Sequence, residues 1–235
     1  MAVDSGDSDQ RAPTSQAPVA PWGEPARSEP AFNAPWTLIA LCVALPALYA
    51  LQTMAPDALV ERFCVSRTAL AAGHYETLVT SLFLHESWTH VIMNTLSALA
   101  FGAPAARLMG TGVRGSVVFL AFFVTVGIVG SAAFVLTDPN DASLGASGAV
   151  SGLLGVAARV IEGRGKVGPI FGRTVIGMTV AWCLLNVILG VFRITPGAFG
   201  VDVAWQAHVG GYLAGVLLAG VFARLAGRDG TAFTH

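Results

Sequence analysis

At 235 residues, with 54% hydrophobic and only 11% charged side chains and a formal net charge of −1, the chain has the composition of a multi-pass membrane protein, not a soluble domain. A mean hydropathy of +0.66 agrees, and the near-neutral charge gives no argument for nucleic acid as a partner. Three scattered cysteines, Cys42, Cys64 and Cys183, exclude a disulfide framework.

Residues 1–35 are rich in Pro, Ala, Ser and Asp and hold no apolar run. They read as a disordered cytoplasmic tail, and not as a secretory signal, which needs a basic start and an apolar core. Pro35 ends the tail, and Trp36 opens the first of six apolar segments, at 36–54, 88–107, 116–136, 147–158, 174–192 and 205–223. Most have about the 20 residues that cross a ~30 Å hydrocarbon core. None shows strand alternation, so helices are predicted. The expected architecture is all-α, a polytopic six-helix bundle over 36–225 followed by a short cytoplasmic segment, 226–235. Trp88 and Trp205, each opening a segment, read as interface anchors.

The basic residues orient this bundle. With the amino terminus inside, Arg11, Arg27, Arg107, Arg114, Arg159, Arg164, Lys166, Arg173, Arg224 and Arg228 face the cytoplasm, against Arg62, Arg67 and Arg193 outside. The excess predicts that both termini are cytoplasmic. Polar groups then fall at related depths. Ser147 lies 12 residues from Arg159, Asn94 13 from Arg107, His208 16 from Arg224 and His90 17 from Arg107. At a rise of ~1.5 Å per residue these are heights of ~18 to ~26 Å, in the outer half of the membrane. The fourth segment is too short to cross alone, so its upper end is expected inside a protein-lined cavity. Gly148 and Gly152 on that segment, and Gly211 and Gly215 on the sixth, have the four-residue spacing that lets helix backbones approach closely in lipid. Such packing would bring Ser147 to His208.

Polar side chains inside a membrane mark functional sites. A serine hydroxyl needs a base to become a nucleophile, and a neutral imidazole can take its proton and return it to a leaving amine. No carboxylate is well placed to join them; Asp202 precedes His208 by six residues in a loop. A Ser147–His208 dyad is the reading. His90 and Asn94, four apart, share a helix face and with the Ser147 N–H would form an oxyanion hole. Gly145 and Gly148 leave room beside the hydroxyl for backbone and substrate.

Three motifs carry a resemblance. His85-Glu86-Ser87-Trp88-Thr89-His90-Val91-Ile92-Met93-Asn94, Gly145-Ala146-Ser147-Gly148 and His208-Val209-Gly210-Gly211-Tyr212-Leu213-Ala214-Gly215 resemble the HxxxxHxxxN, GxSG and HxxGxxxG signatures of rhomboid intramembrane serine proteases. They occur in the family's order, on the second, fourth and sixth segments, and the resemblance covers about 36–225. It implies Ser147 as nucleophile, His208 as base, His90 and Asn94 at the oxyanion, and His85 in a mainly structural role. It also implies cofactor-free cleavage of transmembrane protein substrates near the outer face, in a bacterial cytoplasmic membrane. Residues 55–84 would form the family's membrane-embedded first loop. Two positions depart from the pattern. Many rhomboids carry an aromatic residue one turn after the nucleophile, stacked on the catalytic imidazole; here it is Ser151, so His208 is expected to be held differently. Many bacterial members have an arginine shortly before the first motif, where this chain reads Tyr75-Glu76-Thr77.

Competing readings are weaker. His85-Glu86 begins like the zinc motif HExxH, but the next histidine follows at the fifth position; on one helix the two rings would lie ~140° apart, so no metal is expected. His74 and His235 read as incidental. A transporter would show inverted repeats and paired charges. A catalytically inactive, rhomboid-like chaperone that binds transmembrane segments is the non-enzymatic alternative, and the presence of both dyad members argues against it.

Overall fold

The computed structural model describes residues 34–138, 141–193 and 203–228. Most of the expected tail, Asp202, His235 and the last seven residues lie outside this range. The described chain runs α1 (Trp36–Gln52), α2 (Asp57–Arg62), β1 (Val65–Ser66), α3 (Arg67–Ala71), α4 (Thr77–Thr80), a 3-10 turn (Ser81–Phe83), α5 (Trp88–Met109), α6 (Val113–Thr137), β2 (Ala142–Ser143), α7 (Ser147–Glu162), α8 (Arg173–Val191) and α9 (Trp205–Leu225). Helices α5, α6, α8 and α9 are long and apolar enough to cross a membrane, and α1 is a shorter apolar helix. Large apolar side chains such as Ile39, Val43, Leu96, Val117, Leu184, Ile188 and Leu217 point outward, as they do where the surrounding solvent is hydrocarbon. The chain is an integral membrane protein, mostly helical, and each apolar segment of the sequence holds one helix.

Helix α7 is the axis of the bundle. From Gly148 to Val160 every residue is buried, with α5, α6, α8 and α9 packed around it. Its 16 residues span only ~24 Å at 1.5 Å each; a sheath of other helices makes that sufficient. Its closest neighbour is α9, and small residues make the approach possible. A Cβ on Gly211 would overlap the Gly148 carbonyl, one on Gly215 the Gly152 carbonyl, and one on Gly155 the Tyr212 carbonyl. Backbone therefore lies on backbone, as the spacing of these residues predicts.

One boundary needs correction. The sequence reading ends the fourth segment at residue 158 and takes Arg159 as a cytoplasmic marker. Instead α7 continues to Glu162, and Arg159 is buried. Its Nε donates to the Gly168 carbonyl at 2.6 Å and its Nη1 to that of Val216. The guanidinium ties α7 to α9 and to the following loop, satisfying carbonyls in place of water. Depth measured from Arg159 is thus depth from an internal crosslink.

The all-α expectation has one exception. Residues between α1 and α5 fold into short helices and the strand β1, which pairs antiparallel with β2, Val65 opposite Ser143 and Ser66 opposite Ala142. Arg67, nine residues before Glu76, donates from Nε and Nη2 to the Val135 carbonyl and from Nη2 to that of Leu136, at 3.1–3.3 Å. These are carbonyls of the last turn of α6, which helix geometry leaves without partners. The loop is therefore anchored by an arginine earlier in the chain than the family pattern suggests.

Candidate active site

The turn before α7 places Ser147. Gly145 has φ +121°, open to glycine but strained for other residues. Its N–H donates to the Ser81 carbonyl at 2.8 Å. With the β1–β2 pair just upstream, the long loop thus holds the chain where it enters α7. Ser147 is the first residue of that helix, beside a cavity of about 120 Å³. Asn94 from α5, Ser147 and Ser151 from α7, Trp182 from α8 and His208 from α9 line this cavity, with Met93, Ser97, Phe101, Val150 and Leu154. Three of the four polar residues singled out in the sequence share one chamber.

The fourth, His90, is adjacent but is not among the residues lining the chamber. Ser87 caps α5, its hydroxyl accepting from the His90 N–H at 3.1 Å, the N-cap role serine favours. The His90 ring then lies against Gly145; a Cβ there would sit 2.7 Å from His90 Cε1, 2.8 Å from Nε2 and 3.7 Å from Asn94 Nδ2. Asn94 Nδ2 is buried with no hydrogen-bond partner among the described residues. An amide N–H left unpaired costs on the order of 1–3 kcal/mol, so a donor kept on the wall of this pocket has the character of a binding group.

His85 precedes α5 instead of lying on it, which corrects the helical argument against a shared metal. Its ring meets that of His90 edge to face, with centroids 5.2 Å apart; the two are neighbours, not ~140° apart. Among the described residues no group of three His, Cys, Asp or Glu side chains converges as a metal site would need. His85 is fully buried and meets Tyr49 edge to face as well. Gln52 clamps its backbone, donating to the His85 carbonyl at 2.7 Å and accepting from its N–H at 2.9 Å. Lying outside the spanning helices, its imidazole is pulled down to about 3, first by burial and then by nearby His90, so it stays neutral near pH 7.

His208 has a partner that the sequence reading missed. Its Nδ1 lies 2.7 Å from Oδ1 of Asn186 on α8. The position one turn after Ser147 is small, as read; the Ser151 hydroxyl bonds back to the Ser147 carbonyl at 2.8 Å. An aromatic residue reaches the chamber from elsewhere: Trp182 of α8 lines it and stacks on Tyr212 at 6.4 Å. Asn186 carried the same signal as Asn94, an amide inside an apolar segment, and the rule that intramembrane polar groups need a reason would have found it.

Fold and site together define a helical membrane protein with a serine, a histidine and an amide donor lining one pocket, the group types that acyl transfer uses. Residues 72–225 match the Rhomboid domain, and the chain belongs to that family. It is 26% identical over 151 residues to the Bacillus subtilis (strain 168) protein named "Putative rhomboid protease YdcA", covering 64% of this chain and 68% of that one. It is 29% identical over 150 residues to "Rhomboid protease GluP" of the same strain, covering 64% of this chain but 26% of GluP. Against "RHOMBOID-like protein 12, mitochondrial" of Arabidopsis thaliana the identity is 27% over 166 residues, 65% of this chain and 48% of that protein. The chain thus spans about a quarter of GluP and about half of the Arabidopsis protein.

Proposed function

We propose that this chain is an intramembrane serine endopeptidase that cleaves transmembrane segments of other membrane proteins near the outer face. In this reading α1, α5, α6, α7, α8 and α9 all lie in the bilayer, with both termini cytoplasmic. The observation that carries it is the meeting of Ser147, His208 and Asn94 around one chamber; family membership supports it. His208 takes the Ser147 proton as Oγ attacks the scissile carbonyl carbon. The carbonyl electrons move onto oxygen, and Asn94 Nδ2, the Ser147 N–H and His90 from beyond the Gly145 turn stabilise that oxyanion. Collapse breaks the C–N bond, and His208 returns the proton to the leaving amine. Water, activated by the same imidazole, then hydrolyses the acyl-enzyme. Gly145 leaves room for the His90 ring, Gly148 faces the backbone of Ala207 and Gly130 and serves helix packing instead of substrate access, and His85 braces His90. No step calls for a metal or cofactor.

The test is labelling of the purified protein by a fluorophosphonate, alongside cleavage of a panel of type I transmembrane peptides. Wild type should label and cleave, and Ser147→Ala and His208→Ala should do neither. Binding of the peptides without cleavage by the wild type would refute the enzymatic reading and favour a scaffold.

A further inference from the structure

We propose that Asn186 is a positioning residue for His208, holding the imidazole in the tautomer with its proton on Nδ1 and its lone pair on Nε2. The inference deepens the Ser147–His208 reading and rests on it for its kinetic consequence, though not for the tautomer itself.

The hydrogen bonds determine the direction of each donor. Asn186 Nδ2 donates to the Trp182 carbonyl at 2.9 Å. Turning the amide over would set Oδ1 against that carbonyl, two acceptors facing each other, so Nδ2 belongs there and Oδ1 faces the histidine. Oδ1 can only accept. The ring nitrogen 2.7 Å from it, Nδ1 of His208, must therefore carry the proton when the imidazole is neutral. Nε2 is left with the lone pair, the form in which an imidazole can take a proton from a serine hydroxyl. A ring without such a partner favours the opposite tautomer, with Nε2 blocked by its own proton. In soluble serine hydrolases a buried carboxylate sets this tautomer, and exchanging it for an amide that presents the wrong group is very costly. Here the amide presents its acceptor, and its donor is already engaged, so a neutral residue performs the orientation without an isolated charge in the membrane.

The placement of Asn186 argues the same way. Helix α8 is the least embedded of the long helices, and Val175 and Asn186 are its two buried residues. Leu184, Leu185, Val187 and Ile188 around Asn186 are exposed. A helix presenting apolar side chains to lipid gains nothing by turning an amide inward unless the amide has a partner. Simple interhelical adhesion is the rival explanation, and it is indifferent to the tautomer.

The experiment uses the full chain in detergent with ¹⁵N-labelled histidine, the His208 resonances being assigned by difference against His208→Gln. Wild type and Ser147→Ala should show His208 protonated on Nδ1, and Asn186→Leu should move the proton to Nε2. Cleavage of a transmembrane peptide should lose roughly 10–100-fold in kcat with KM changed less than about threefold in Asn186→Leu. Asn186→Asp, which again offers an acceptor to Nδ1, should restore the Nδ1 tautomer and most of kcat. Should Asn186→Leu not fold, the wild-type tautomer and the Asp variant decide. Protonation on Nε2 in the wild type would overturn the proposal. So would an Asn186→Leu protein that melts lower but keeps its tautomer and kcat, since that is adhesion. A wild type unable to cleave any peptide would remove the protease reading, while the tautomer measurement would still decide what Asn186 does to His208.

Discussion

Gly145→Ala tests whether the turn before α7 holds the oxyanion-side residues in place. The new methyl carbon would lie 2.7 Å from His90 Cε1 and 2.8 Å from its Nε2, whereas carbon atoms rest at about 3.5–4.0 Å. The ring must retreat by ~1 Å, and a displacement of that size near reacting groups costs up to about 100-fold in rate. The backbone adds its own penalty, since φ +121° costs a non-glycine residue about 1–3 kcal/mol. The expected protein is folded, melts several degrees lower, and cleaves a transmembrane peptide about 100-fold more slowly with little change in KM. Gly73 separates the two effects. It also has positive φ, +90°, but nothing lies within 4 Å of its missing Cβ. Gly73→Ala should lower the melting temperature and leave turnover intact. If Gly145→Ala turned over as fast as wild type, the argument that this glycine makes room for His90 and Asn94 would be wrong.

Three further expectations follow from packing and charge. Gly215→Val should prevent stable folding, or cost more than about 3 kcal/mol, because its side chain meets the Gly152 backbone and not a movable side chain; a variant melting like wild type would show that α7 and α9 can separate cheaply. Arg67→Met removes three donated hydrogen bonds to the end of α6 and should cost about 1–3 kcal/mol. Its readouts are the melting temperature and proteolysis within residues 55–84, and unchanged values on both would deny the loop its anchor. His85 gives a pH signature. Its folded value, about 3, lies below the ordinary ~6.5, so the unfolded chain binds more protons between them. Stability should fall as pH drops through that window and be steady above it. A folded His85→Phe variant should show a shallower decline in melting temperature from pH 6.5 to 4, and an identical slope would remove His85 as the cause.

Helices α5, α6, α8 and α9 were legible because lipid enforces a simple rule, apolar runs of sufficient length, and the shorter runs of α1 and α7 hold a helix as well. The meeting of Ser147, His208 and Asn94 was legible for a related reason: in hydrocarbon a polar group needs a partner, so polar positions at matching depth on glycine-lined helices have few places to go. The misreadings share a physical origin as well. Arg159 looked like a cytoplasmic marker because charge usually seeks water, yet carbonyls of Gly168 and Val216 take the place of water here. His85 and His90 were compared as if on one helix, when Ser87 caps the helix between them and frees His85 to fold back. The β1–β2 pair joins strands of two residues each, too short for alternation to register.

The two departures from the family pattern show how a missing local contact can be replaced from a distance. An aromatic at position 151 would contact the base from the same helix as the nucleophile, a relation visible in five consecutive residues. With Ser151 there, contact with His208 comes from Asn186, 22 residues away on α8, and an aromatic wall from Trp182, one turn earlier on that helix. Likewise the loop's arginine is Arg67, whose partners are main-chain carbonyls 68 and 69 residues further on. Main-chain carbonyls occur at every position and leave no mark on a sequence. A pattern therefore reports that a restraint is missing from its usual place without reporting where it has gone. The unsatisfied group carries that information: a histidine that must present one nitrogen, or a helix end that must cap its carbonyls, defines the donor or acceptor required. Asn186 is the buried amide of α8 and Arg67 is the guanidinium set on α6's last turn, and each meets the requirement it faces.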